Sequence, residues 1–524
     1  MKSRTPHSVL MLLCLSAAID TWAQSPAAQD STGNASPTVV SAQAQLKRGD
    51  LTSAETSVWS LLSSNPNDEK ALTLLGMIRG RQQRYTEAEV LFGRVLQLNP
   101  KSVVARTQLA NVLSVQNKHD EAIGQYQQAM NLAPDNADLK LDLASLYVRK
   151  AEFEQALSTL KTIPPDRFPV AGIPLKVASL LALGRKSEAI KLLPQVKNSP
   201  TAAMDLSELF LRNDLADEAL QTLNLVSLKR PPARFYYVKG RVLQAKGQIP
   251  AALSSLRRAS AFDPKSADTL VAIAQIYAVQ GKHVDSFATL QRARTLNPES
   301  VAVLRRFVVE AMQAGQHRAA LAAANQLVQK SPENLDDLYL AAAVMLQEKE
   351  LTAAIPLLEK YVAQRPDDAK GWLGLGMAYL EKRRSDFARK ALERSAQLDP
   401  TLTETQYQLG ALAGQEGNPQ EGIQHFEQVV HMQPRHARAL AGLGALYIQT
   451  RELDKALDAL QRAETLDPNN AQMEYDLGLV LSSLGKPEEA KVHMERFRKL
   501  KATQSRGAPN RPVEESPANL PNVR

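Results

Sequence analysis

Cysteine is almost missing: Cys14 is the single thiol in 524 residues. A disulfide framework needs pairs and a thiolate zinc site needs several ligands, so both are excluded. Aromatic residues are scarce, at 5%. Beyond the first two dozen positions no apolar run approaches the roughly 20 residues of a membrane-spanning helix. Charge of one sign is also in short supply: 63 Lys and Arg face 55 Asp and Glu, a formal +8. Averaged over the chain this is a mild excess, weak ground for acidic or nucleic-acid partners, and no nucleic-acid partner is expected. The motifs of phosphate, dinucleotide, nucleophile-elbow and zinc-protease chemistry are missing too. Gly374 and Gly376 begin a Gly-x-Gly-x-x-Gly turn, but Tyr379 stands at the third glycine's place. What remains is 44% apolar residues, dominated by Ala and Leu, the composition of a large helical protein.

The first segment reads as an address. Lys2 and Arg4 precede the apolar stretch from Val9 to Ile19, and Thr21-Trp22-Ala23 supplies a small-residue exit. This order predicts a cleaved signal peptide over residues 1–23, a flexible leader over 24–34, and a periplasmic or extracellular destination. Met11-Leu12-Leu13 precedes Cys14, so lipid attachment there is not expected.

Proline sets the clock. Pro264, Pro298, Pro332, Pro366, Pro400, Pro434 and Pro468 are each 34 residues apart, as are Pro66, Pro100 and Pro134. A fixed period of this length marks a repeat architecture. Each unit holds two apolar-periodic segments joined by a short polar or Gly-containing turn. In residues 369–402, Trp372, Leu375, Gly376 and Tyr379 share one helical face. Lys382 to Ser385 makes the turn, Ala388, Leu392 and Ser395 share a face of a second helix, and Pro400 follows. The twentieth place of all fourteen units is Ala, Ser or Gly, and the eighth is mostly so. Two helices crossing closely leave no room for more.

The run Trp372, Leu375, Gly376, Tyr379, Ala388 and Pro400 resembles the tetratricopeptide repeat (TPR) pattern. Leu443, Gly444, Tyr447, Ala456, Leu460 and Pro468 match it nearly as well. The resemblance implies an all-α, right-handed superhelical solenoid of about fourteen helix-turn-helix units. Expected are an N-terminal block of about four repeats over 35–169, irregular units over 170–232, about eight regular repeats over 233–504, and a disordered tail over 505–524. Pro164, Pro165, Pro169 and Pro174 crowd the irregular part, which reads either as a hinge or as a degenerate repeat with a local bend. Pro356 falls inside a predicted second helix, where it could kink it.

Chemistry is not expected. His425 and His431 are six apart, on different faces of a helix, and His436 lies beyond Pro434, so no metal site is read there. Acidic pairs such as Glu488-Glu489 and Asp336-Asp337 suit helix starts. No catalytic residues and no cofactors are assigned, and the chain is not expected to be an enzyme. The family resemblance implies instead that first helices line a concave groove that takes protein or peptide ligands. The groove residues it points to are Tyr237, Arg241, Gln275, Arg305, Tyr339, Leu373, Met377, Tyr407 and Tyr475. Two readings of the tyrosines stand side by side: partner contact, and packing against the neighbouring helix. The clamp by which chaperone-binding relatives hold a terminal carboxylate is broken here, since Thr107, Asp142 and Ala171 stand beside Asn111. In residues 486–502, Lys486, Lys491, Arg496, Arg498, Lys499 and Lys501 supply the polar outer face a terminal repeat needs. Peripheral contact with anionic lipid or polymer is the sharper alternative there.

The resemblance extends to exported bacterial scaffolds of envelope, secretion or polysaccharide-assembly complexes; a carbohydrate- or polymer-binding envelope component is the alternative. The oligomeric state is left open.

Overall fold

The computed structural model describes residues 37–506. The expected signal peptide and leader lie outside the described residues. So does the expected tail, except for residues 505 and 506, which continue the last helix, Pro487–Arg506. The described residues form 28 α-helices and no strand, arranged as fourteen consecutive pairs. The chain divides into two compact units, residues 1–265 and 266–524, with seven pairs described in each.

The proline clock has a local cause. In most regular units proline stands two residues ahead of a polar residue that caps the first helix. Asp68 accepts from the Ala71 N–H at 2.8 Å, Ser266 from Thr269 at 3.2 Å, Asn334 from Asp337 at 3.0 Å and Asn470 from Met473 at 3.2 Å. Each cap satisfies a first-turn donor that has no partner within the helix. The first helix then runs 13 residues, as in Ala267–Val279, and the second 14, as in His283–Leu296. Between them every turn places one residue at positive φ, such as Gly281 at 70° or Arg383 at 57°. There the chain closes with Gly281 N–H bonded to Ala278 O and Lys282 N–H to Tyr277 O, both at 2.9 Å. Seven of these left-handed residues are glycine and seven are not, so at seven turns a Cβ is carried in a conformation that glycine adopts at lower cost.

Small residues decide how closely the pair crosses. From Ala54 to Ala456 the twentieth-place residues are fully buried. At Gly76 an added Cβ would fall 2.6 Å from the Phe92 ring, and at Gly240 2.6 Å from Leu256. Glycine at the eighth place therefore makes room for the large side chain sixteen residues on. Where serine replaces alanine, its hydroxyl crosses the same gap: Ser286 donates to Ala274 O at 2.9 Å, and Ser207 to Ala219 O at 3.0 Å.

In the first unit the pattern loosens. The second helices Phe153–Lys161 and Ala216–Asn224 have nine residues and Lys186–Ile190 only five, with 3₁₀ turns at Pro165–Arg167, Val170–Gly172 and Leu193–Val196. Pro164 and Pro194 closely follow Phe153–Lys161 and Lys186–Ile190, and proline can neither donate to the helix ladder nor favour an α conformation before it; Ala216–Asn224 ends well ahead of Pro231. An apolar core still runs from Ile173 to Val242, through Val177, Leu206, Phe210 and Leu223. The second unit is regular throughout. Pro356 lies inside Leu351–Gln364, which remains one 14-residue helix.

Candidate partner-binding surface

The residues expected to face a partner sit on first helices, and each has a defined setting. In the first unit, Tyr237 and Arg241 are one turn apart on Ala233–Ala245. The Arg241 guanidinium donates to the Tyr237 hydroxyl at 3.2 Å and lies 6.0 Å from its ring centre.

The rest belong to the second unit. Gln275, with its amide oxygen turned toward Arg306, accepts from that guanidinium at 2.7 and 2.9 Å. Arg305 is engaged through Nε and Nη2 with the carboxylate of Asp337, the second bond measuring 2.9 Å. Asp337 is fully buried and also accepts from the Ser331 hydroxyl at 2.7 Å. Burial without these partners would be costly for a carboxylate, so the fork of Arg305 locks one repeat to the next.

The tyrosines are half-buried, and each ring leans on another. Tyr339 lies 4.8 Å from Tyr361, Tyr407 lies 5.6 Å from Phe426 and 5.3 Å from His436, and Tyr475 lies 5.2 Å from Phe497. Arg438 covers the Tyr407 ring at 4.9 Å. Burial pushes the Tyr339 hydroxyl up to about 12 and raises that of Tyr407, so both remain neutral donors at ordinary pH. Leu373 packs at the edge of the core around Leu375, and Met377 is half-buried on the same helix, Ala369–Glu381. The structure thus joins Tyr237 to Arg241 and places Leu373 and Met377 on one helix. Most of the remaining residues are tied to groups the sequence did not connect with them: Asp337, read there only as a helix-start acid, and Tyr361, Arg306, Phe426 and Arg438. Those partners are many residues away in sequence, often close to one repeat length, which no short motif reveals.

Other groups weighed in the sequence settle into structural roles. Asn111 accepts a hydrogen bond from the buried Tyr126 hydroxyl. Burial, reinforced by nearby Asp138, pushes the Asp142 carboxyl up to about 7, the opposite of what a binder of carboxylates requires. His425 pairs with Gln406 at 2.8 Å, while His436 caps a helix by accepting from Ala439 N–H at 3.1 Å. The tyrosine of the family pattern serves the stack: Tyr379 donates to Glu359 at 2.5 Å and Tyr447 to Glu427 at 2.6 Å. Glu464, Glu474 and His493 form a cluster of possible metal ligands, their donor atoms within 4.8 Å of one another. Arg496 approaches Glu464 at 2.7 Å and Glu474 at 3.9 Å. A cation is therefore already supplied, and the cluster is an ion-pair network of the last two pairs.

Two tetratricopeptide repeat family profiles match the chain, one over residues 116–169 and 345–412, the other over 237–301, 306–369 and 407–471. Together they cover just over half of it. Among curated proteins, the type IV pilus assembly protein PilF of Pseudomonas aeruginosa is 25% identical over 141 residues, 26% of this chain and 56% of that one. Anaphase-promoting complex subunit 3 of Schizosaccharomyces pombe is 30% identical over 119 residues, 22% of this chain and 17% of that one. The chain thus spans about half of the first relative and less of the second. A solved structure, the APC/C hetero-tetramer Cut9-Hcn1, aligns over 85% of this chain and 95% of its own, at 17% identity and a TM-score of 0.44. The chain belongs to the tetratricopeptide repeat family, whose members typically mediate protein–protein interactions and are generally non-enzymatic scaffolds.

Proposed function

We propose that this chain is an exported, non-enzymatic scaffold that holds a protein partner along its first helices, in an envelope, secretion or polysaccharide-assembly complex. The reading is supported above all by Tyr339, Tyr407 and Tyr475. They recur at one place of alternate repeats, half-exposed and each steadied by a second aromatic ring. A ring held in advance loses little entropy on binding, and its hydroxyl adds a donor to apolar area. An extended or helical segment laid along the first helices of the second unit would meet these rings in series, with Gln275, Arg305, Leu373 and Met377 beside them; Tyr237 and Arg241 would offer contacts of their own within the first unit. Export is supported by the charged start, short apolar middle and small-residue exit of residues 1–23. An envelope role is supported by the likeness to a pilus assembly protein.

Two measurements test this. Fusing the first 40 residues to a reporter active only outside the cytoplasm should give activity and a mature N-terminus at Gln24; an inactive, unprocessed fusion refutes export. For a partner recovered from the envelope fraction, the double variant Tyr339→Ala/Tyr407→Ala should weaken binding by more than about 1 kcal/mol. Unchanged affinity would make these rings packing residues.

A further inference from the structure

The mild overall charge conceals its distribution. Residues 229–265 hold nine Lys and Arg and a single acidic residue, Asp263, a net +8. That equals the excess of the whole chain, so the remaining sequence is balanced at 54 of each sign. Within the segment Arg234 pairs with Asp205 and Glu208, and Lys246 with Asp217. Lys229, Arg230, Lys239, Arg258 and Lys265 have no ion-pair partner among the described residues, and all but Lys239 are exposed.

The fold gathers these charges. Helices Ala233–Ala245 and Ile249–Phe262 run antiparallel, so the start of the first lies beside the end of the second. Lys229 and Arg230 precede that start, while Arg258, Phe262 and Lys265 belong to that end. Tyr236 and Phe262 mark the junction: their rings are stacked at 5.6 Å and 3°. Arg258 lies over the Tyr236 ring at 5.8 Å. Phe262 remains 64% exposed, an aromatic platform backed by a second ring and bordered by cations. A solvated surface gains nothing from holding like charges together around an exposed phenyl ring; an anionic ligand with apolar parts does.

We propose that this end of the seventh repeat docks an acidic protein segment carrying an aromatic or aliphatic side chain. Its carboxylates would meet Lys229, Arg230 and Arg258, and its apolar side chain would rest on Phe262. The inference rests on the scaffold reading and names a partner chemistry for this repeat. A peptide is favoured because the site offers separate cations around one compact platform. A regular anionic polymer would instead ask for the same device on successive repeats, and the other repeats together are charge-balanced.

The test uses the full chain and a fluorescein-labelled oligoglutamate peptide containing one tyrosine, read by anisotropy. Binding should weaken steeply as salt rises, because charges beyond roughly 10 Å are screened at 0.1 M. The triple variant Lys229→Glu/Arg230→Glu/Arg258→Glu should weaken it by at least about tenfold, and Phe262→Ala by about fivefold. All four positions are exposed, so the circular dichroism melting curve should be unchanged. Tyr339→Ala/Tyr407→Ala, in the other unit, should leave this peptide's affinity as it is, which separates the outcome from that of the groove reading. The proposal is overturned if the peptide fails to bind, if charge reversal leaves its affinity intact, or if polygalacturonate or oligothymidylate binds more tightly through the same residues.

Discussion

The stretch from residue 153 to 232 and the stretch from 267 to 483 obey the same rule and come out differently. Both bury a small residue at the helix crossing, Ala156, Ala189 and Ala219 in the first and Ala320, Ala354 and Ala388 in the second. In the second stretch the second helices reach 14 residues, whereas in the first they stop at nine or five. The crossing is therefore the fixed element and helix length the negotiable one. A repeat tolerates proline and lost turns so long as the neighbouring helices can still close over its core, because each repeat is stabilised by the apolar surface it buries against its neighbours.

The regular stretch contains a polar lock that the irregular one lacks among the described residues: the buried carboxylate of Asp337 held by Arg305 and Ser331. Asp337→Asn keeps the shape and removes the charge, so chemical denaturation should show a loss of about 3 kcal/mol. A loss below about 1 kcal/mol would mean that the lock adds nothing to the regularity around it.

Overpacking the crossing compares the two stretches directly. Ala388→Leu should cost about 2 kcal/mol, because a 14-residue helix pinned on both sides cannot yield. Ala189→Leu should cost about 1 kcal/mol, since the five-residue helix Lys186–Ile190 can shift, and hydrogen exchange of residues 186–198 should already be the faster of the two in the parent chain. Equal costs and equal exchange would break the comparison.

The smallest effect concerns the approach to the irregular stretch. Burial pushes the Asp142 carboxyl up to about 7 in the folded chain, well above the usual carboxylate range. A folded-state pKa above the unfolded one means stability is fullest at low pH and declines as pH rises through the interval from about 4 to 7. Asp142→Asn removes this pH dependence. The variant should match the parent near pH 4 and exceed it by about 1 kcal/mol above pH 7, partial water access having reduced the full linkage value. A constant difference across pH would show that Asp142 is ionised throughout.

Much of the fold is legible in the sequence because its determinants are local. The 34-residue period, the small residues at the eighth and twentieth places, and the proline ahead of the first helix in most regular units are adjacent in the chain to the helices they define. The candidate surface is less legible. Tyr339, Tyr407 and Tyr475 can be singled out from their place in the repeat, but their steadying rings cannot, since Tyr361, Phe426 and Phe497 lie 19 to 22 residues away on other helices. Arg305 looks like a free cation in the sequence, and only the stacking of the next repeat shows it holding Asp337. The basic end of the seventh repeat was hidden by averaging charge over the whole chain.

By itself the sequence determined the helix pairs, their period and the places where they cross, because capping, proline geometry and side-chain size act within a few residues. Tertiary structure alone decided which cations are neutralised, which rings are braced and where like charges gather. Those outcomes depend on groups brought together from helices far apart in the chain, at distances of a few ångströms, where Coulomb and stacking forces first become strong enough to count.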